Sequence, residues 1–169
     1  MLKRTNIGWA DYSGGDLNVV IRGKSCPTSE GCANCYVERW YQRYRSGRMP
    51  EHTSVYPDKL KRLRWAKFDP GDQPYRRGPG SKPIMFVADY GDLFCEDVSF
   101  GFAFNVLVTI YPRSDADWVL LTKRPGRMKE AVDAFCNAFN LKQHVEIPPE
   151  SEEGAEAPSR KEETDENTD

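Results

Sequence analysis

Histidine is almost missing: the 169 residues contain only His52 and His144. A histidine-based triad therefore has little to draw on, since His52 lies in a polar loop and His144 close to the C-terminal segment. There is no G-x-G-x-x-G fingerprint and no H-E-x-x-H pair, which removes the usual dinucleotide loop and the zinc-peptidase helix. Residues 22–25, "RGKS", end like a phosphate-binding loop. The glycine such a loop needs five residues before Gly23 is Asn18, however, and Pro27 would interrupt the helix that must follow. No apolar run is long enough to cross a bilayer, and the N-terminal "MLKRTNIGWADYSGG" has no apolar stretch leading to a cleavage site. A cytoplasmic protein without membrane contact is expected.

What the chain does have is enough apolar material for one core, 38% of residues with 12% aromatic, so one domain over residues 1–149 is predicted. Residues 150–169 have nine acidic side chains against Arg160 and Lys161 and no aromatic, and such a segment is expected to be disordered. The overall charge of −2 thus hides +5 on the residues before it. Lys59, Lys61, Arg62, Arg64, Lys67, Arg76, Arg77 and Lys82 concentrate the positive charge. A solvated helix followed by a Pro/Gly-rich loop accounts for them, and a nucleic-acid or phosphate-bearing partner is the alternative left open.

Short β-type runs alternate with helical ones. Residues 17–23 read as a strand entering a cysteine-rich loop, residues 84–88 as a buried strand and residues 118–122 as another. After the cysteines, Tyr36, Val37, Trp40, Tyr41 and Tyr44 recur on one helical face. After the last strand, Met128, Val132, Phe135, Cys136 and Phe139 do the same, with Pro125 suited to a first turn. The stretch "FGFAFNVLVTIYP" reads either way: its β-branched residues favour a strand, its place between two buried strands a helix. Three strand-then-helix units predict an α/β fold with a parallel sheet. In such sheets ligands gather at the carboxyl ends of the strands, where the cysteine loop, "DYGDLFCED" and "TKRP" fall.

Three of the five cysteines, Cys26, Cys32 and Cys35, lie within ten residues at C-x5-C-x2-C spacing. In a reducing compartment clustered thiols point to metal or redox chemistry rather than disulfides, and an odd count pairs poorly. Three thiolates on a 4Fe-4S cluster leave one iron open, whereas structural zinc is closed by four ligands and would need Cys95, a histidine or another group. A redox pair of Cys32 and Cys35, and an incidental cluster of loop cysteines, also fit the spacing.

Four blocks, "TNIGWADYS", "GCANCYVER", "DYGDLFCEDV" and "VLLTKRPGRM", stand in order between residues 5 and 128. Together they resemble the phage-associated three-Cys-motif family, whose members are similar to radical S-adenosylmethionine enzymes and often accompany a three-Cys-motif partner protein. The resemblance implies that Cys26, Cys32 and Cys35 hold a 4Fe-4S cluster whose open iron binds the amino and carboxylate groups of S-adenosylmethionine. Reductive cleavage to a 5′-deoxyadenosyl radical would then drive hydrogen abstraction, with the protein supplying position and dryness. Tyr36 would shield the cluster or hydrogen-bond near it, or else simply begin the apolar helix face. Asp89 and Asp92 would accept hydrogen bonds from the cofactor's amino group or ribose, or cap a helix. Lys123 and Arg124 would pair with the methionyl carboxylate or a substrate phosphate, with an ion pair from Arg124 to Glu38 or Glu96 as the alternative. Cys95 stands where the family pattern has His, an exchange that metal ligands tolerate and that favours a four-ligand zinc site. Cys136 reads as core.

Two departures from the pattern matter. Radical enzymes of this kind commonly use C-x3-C-x2-C, so the longer first gap here requires a wider loop. Relatives also continue into the later strands of a partial (βα)6 barrel, of which this sequence carries about the first half. A sheet of three parallel strands would leave an edge open. A second chain completing the barrel, self-association, or loss of full catalysis is expected to follow.

Overall fold

The structure, a computed structural model, describes residues 2, 4–5, 7–26, 32, 35–68 and 81–141. Arg76, Arg77, His144 and the acidic segment lie outside the described residues. In chain order the elements are β1 (Tyr12–Ser13), β2 (Val20–Ile21), α1 (Tyr36–Tyr44), β3 (Ser54–Val55), α2 (Asp58–Arg64), β4 (Ile84–Val87), α3 (Phe100–Ile110), β5 (Asp117–Leu120) and α4 (Pro125–Ala138). They form a mixed α/β fold: β1, β4 and β5 make a parallel sheet in the order β1-β4-β5, and β2 and β3 form a separate antiparallel ribbon.

β4 is the centre because its side chains suit burial on both faces, as central parallel strands require. Met85, Phe86 and Val87 are all buried. Tyr12 pairs with Met85 on one side, and Met85 with Trp118 on the other. Asp11 fixes the β1 register twice, donating its backbone N–H to the Ile84 carbonyl at 3.0 Å and accepting the Ile84 N–H on Oδ2 at 2.8 Å.

The strand expected over residues 17–23 is not part of this sheet. After β1 the pair Gly14–Gly15 turns the chain, Gly15 taking φ +43°, into a short 3-10 turn over Gly15–Leu17. Val20 and Ile21 then pair with Val55 and Ser54 in the ribbon. Asn18, Val19 and Val20 are fully buried all the same, so their apolar pattern is satisfied by packing rather than by the parallel ladder. The first parallel strand is instead the two-residue β1, too short to give a periodic signal.

The ambiguous segment resolves as helix. Ser99 caps α3 by accepting the Phe102 N–H at 3.2 Å, and Phe102, Ala103, Val106, Leu107 and Ile110 turn one face to the core at helical spacing. α4 starts with Pro125 at its first turn and buries Ala131 and Phe135, with Cys136 packed at the core's edge. The rings of Phe104 and Tyr111 on the α3 side meet Phe135 at 5.9 and 5.2 Å. β5 pairs only with β4 among the described residues, and Leu121 beyond it is exposed. That is the open edge expected of three parallel strands.

Arg113 ties α2 to this layer. Its guanidinium donates to the carbonyls of Leu63 and Ala66 at 2.8 and 2.6 Å, and also to Asp115, while lying against the rings of Phe68 and Trp118. Those carbonyls belong to the last turn of α2 and its exit, where helix acceptors otherwise go unpaired. Replacing Arg113 by Ala is expected to cost about 2–4 kcal/mol in urea unfolding, because charged hydrogen bonds and ring contacts are lost together. Arg113→Lys should recover little, since an ammonium cannot span both carbonyls and the rings; wild-type stability in the Lys variant would contradict this role.

Candidate metal centre

The loop after β2 is held against the residues before β3 by backbone contact. Lys24 and Ser25 donate their N–H groups to the carbonyls of Pro50 and Glu51, both at 2.9 Å. Gly23 permits the approach, since a Cβ there would run into the His52 backbone. Ser25 adds a hydrogen bond from Oγ to Asp97 at 2.8 Å, drawing in the loop after β4. Cys26 is thereby carried to Cys95, and the two sulfurs stand 3.5 Å apart in a buried site.

That spacing suits shared coordination. Two sulfurs each about 2.3 Å from one tetrahedral ion lie roughly 3.8 Å from each other. Cys32 is also buried, and Cys35, half-buried, precedes the first turn of α1 and donates its N–H to the Cys32 carbonyl at 3.0 Å. No group of three His, Cys, Asp or Glu side chains converges among the described residues, and residues 27–31, 33 and 34 of the loop lie outside them. Cys26 and Cys95 are thus the thiols brought together. Soft, buried sulfurs at the carboxyl end of a parallel sheet form a donor set that fits thiophilic iron or zinc.

The charges around the pair are arranged to match. The hydrogen bond from Cys95, together with the guanidinium groups of Arg22 and Arg124, outweighs burial and lowers the Cys26 thiol to about 6. Its partner moves the other way, as the Cys26 hydrogen bond and burial push Cys95 well up. The pair thus shares one hydrogen bond, with Cys26 the more acidic of the two sulfurs. Arg22 is buried, meets Glu38 at 3.4 Å and has no hydrogen-bond partner for Nε among the described residues.

Arg124, just before α4, spans the site. It donates from Nε to Glu96 at 2.7 Å and from Nη1 to Asp92 at 3.0 Å, and Nη2 lies 3.9 Å from Cys26 Sγ. The Glu96 pair is the alternative that the sequence left open for this arginine. Asp92 accepts from the N–H groups of Phe94 and Lys123 at 2.9 and 3.0 Å and from the Thr122 hydroxyl at 2.8 Å, besides Arg124. Its carboxylate binds the two loops together. Lys123 contributes its backbone N–H there, and the residue is exposed.

Asp89 is placed differently. Ala88, at φ 58° in the left-handed region, turns the chain out of β4, and the Asp89 side chain is buried beside Asn18 and the Gly14 backbone. A Cβ at Gly14 would strike both side chains. Burial raises the Asp89 carboxyl above its ordinary range, and contacts to Ser13, Asn18 and the Gly15 backbone offset this only in part. Its Oδ1 and the Asn18 Nδ2 have no hydrogen-bond partner among the described residues. Tyr36 is half-exposed, with its hydroxyl end close enough to Asp89 and Cys35 that partial burial and their charge raise its pKa.

Sequence reasoning did not single out Arg22, although a charge closing the buried run "NVVIR" was the available signal. The sequence placed Tyr36, Val37, Trp40, Tyr41 and Tyr44 on one apolar face of α1. Only Val37 of that face is buried, while Trp40 and Tyr41 line a cleft and Tyr36 and Tyr44 are exposed.

With this geometry the chain has a thiol centre, a buried carboxylate with one oxygen unpaired among the described residues, and an α/β frame that places both at strand ends. A family model described as "Protein of unknown function (DUF5131)" matches residues 4–163, and the chain belongs to that family. No curated protein and no solved structure matches it.

The burial of the Asp89 carboxylate gives a pH prediction. A carboxyl whose folded pKa is raised lowers stability as pH climbs from its ordinary value through the raised one, and costs nothing below both. Asp89→Asn should therefore raise the melting temperature at pH 7–8 by a few degrees, with the gain vanishing in acid. A loss of stability that is the same at every pH would show that the carboxylate is satisfied.

Proposed function

We propose that this protein is an iron–sulfur protein of the phage-associated three-Cys-motif, radical S-adenosylmethionine-like kind, acting in the cytoplasm of a phage-infected or prophage-bearing host. Cys26, Cys32 and Cys35 would hold a 4Fe-4S cluster. The observation that supports a thiol-bound metal here is the buried Cys26–Cys95 contact of 3.5 Å at the strand ends, with Arg22 and Arg124 beside it; among the described residues Cys32 and Cys35 do not converge with that pair. Such a cluster, when bound, supplies one-electron reduction of the sulfonium of S-adenosylmethionine.

The chain's own residues have separate tasks in this reading. Arg22 and Arg124 balance the negative charge that thiolates bring into a buried site. Cys95 shares an S–H···S hydrogen bond with Cys26, a contact of the type that tunes cluster potential. Asp89 Oδ1 offers an acceptor for an amino or hydroxyl donor of the cofactor. Asp92 has no such freedom, because four donors already occupy it. Tyr36, at the start of α1, lies near enough to Asp89 and Cys35 to feel the charge of both. The open edge at β5 is where further strands of a barrel would add, whether from a three-Cys-motif partner protein, another chain or a second copy.

The same contact favours one other reading, in which Cys95 is a fourth ligand and zinc closes the site without catalysis. Metal analysis of anaerobically purified protein separates the two: about four iron and four sulfide per chain are expected, and colourless protein with one zinc would overturn the cluster. Cys95→Ser should keep the cluster and shift its potential. Loss of all metal in that variant would instead make Cys95 a ligand. Activity is read separately, as release of 5′-deoxyadenosine from S-adenosylmethionine under reductant with the partner protein present; no release would confine the chain to cluster binding.

A further inference from the structure

Beside the thiol centre, across Tyr90, lies a cleft of about 1750 Å³. Tyr90 links the two, since its carbonyl accepts the Arg22 N–H at 2.8 Å while its ring packs on Trp40 at 5.0 Å. The described residues that line the cleft include Arg4, Arg45, Arg48, Lys59, Arg62 and Lys67, and no Asp or Glu. Six cations facing one space without a carboxylate repel one another, an arrangement that lowers its energy by taking up a polyanion. Arg4 is spoken for by Asp11 at 3.9 Å and Lys59 sits over the Tyr56 ring. Arg48, Arg62 and Lys67 have no ion-pair partner among the described residues and are exposed.

Charge alone would suit any polyanion, and the aromatic residues narrow the choice. Trp40, Tyr41, Trp65 and Tyr90 line the same walls. On α2 and its exit, Lys59, Arg62 and Trp65 follow at intervals of three and so share one side. Trp65 is 70% exposed, a large ring presented to solvent rather than to the core. The Arg45 guanidinium lies 5.6 Å from the Trp40 ring, and that of Arg64 lies 5.9 Å from the Trp65 ring. Cations set beside an exposed ring such as Trp65 match a chain in which phosphates alternate with bases able to stack. A duplex keeps its bases stacked on each other, and an acidic peptide has none.

We infer that this cleft binds single-stranded nucleic acid, with Arg48, Arg62 and Lys67 on phosphates and the exposed Trp65 stacking on a base. Binding of this kind does not depend on the metal centre, and it puts the strand next to the carboxyl end of β1, the end of the sheet that carries the thiols.

The test is fluorescence anisotropy of the full chain with labelled single-stranded DNA and RNA oligonucleotides, which also tells which sugar is preferred. Three engaged phosphates predict a slope of about −2 in log affinity against log salt. The surface double variant R48E/R62E should flatten most of that slope while leaving metal content and melting temperature unchanged. Trp65→Ala should weaken binding about tenfold with the slope preserved, because stacking is not screened by salt. Absence of binding at low salt would overturn the inference. So would equal affinity for duplex, or full displacement by polyglutamate together with an unaffected Trp65→Ala variant; the last result would mark a general polyanion or acidic-protein site.

Discussion

The carboxylate of Asp92 holds the functional end of the molecule in place. Two loops leave the sheet there, one after β4 and one after β5, and neither has a ladder to define it. Asp92 takes donors from both: Phe94 from its own loop, and Thr122, Lys123 and Arg124 from the other. Arg124 then turns outward from this anchor to Glu96 and Cys26. Arg127, one turn further on, donates to the carbonyls of Phe94 and Val98, each at 3.0 Å, and closes the same loop again. Cys95 sits inside that clamp, fully buried, so its position relative to Cys26 follows from charged hydrogen bonds rather than from sheet geometry. Such bonds are stronger than neutral ones and more directional.

Charge compensation is the second constraint. Thiolates in a dry site need cations, and the fold delivers them from two distant places, Arg22 at the end of the β2 segment and Arg124 at the entrance to α4. Both guanidinium groups are anchored by an acidic partner, Glu38 and Glu96 respectively. Position and charge therefore arrive together. The neighbouring cleft has the opposite character, with cations exposed and no acid lining it among the described residues. One part of the surface is neutralised internally, and the other is left for a ligand to neutralise.

Much of the frame was legible in the sequence because it rests on local pattern. β4, β5, α1 and α4 have apolar periods long enough to read, and Pro125 marks a helix start unaided. β1 was not legible. Two residues carry no period, and what makes them a strand is Asp11 reaching Ile84, a contact between positions 73 apart in the chain. The run around Val20 misled for the complementary reason: apolar alternation signals burial, and burial here is achieved outside the parallel ladder. At the site, the clustering of Cys26, Cys32 and Cys35 and the odd Cys95 were visible as residue types, whereas the meeting of Cys26 with Cys95 across 69 positions was not. Nor could sequence tell the aromatic face of α1 from a core face, because Trp and Tyr suit an apolar interior and a stacking surface equally well.

A thiol-bound metal at Cys26 is the claim on which the functional reading rests, and X-ray absorption at the metal edge of the anaerobically isolated full chain addresses it most directly. The expected spectrum is an iron edge with a sulfur shell at about 2.3 Å and short iron–iron scattering, as for a cluster held by cysteine. A first shell of nitrogen and oxygen alone, or a shell unchanged when Cys26 is replaced by Ser, would contradict it.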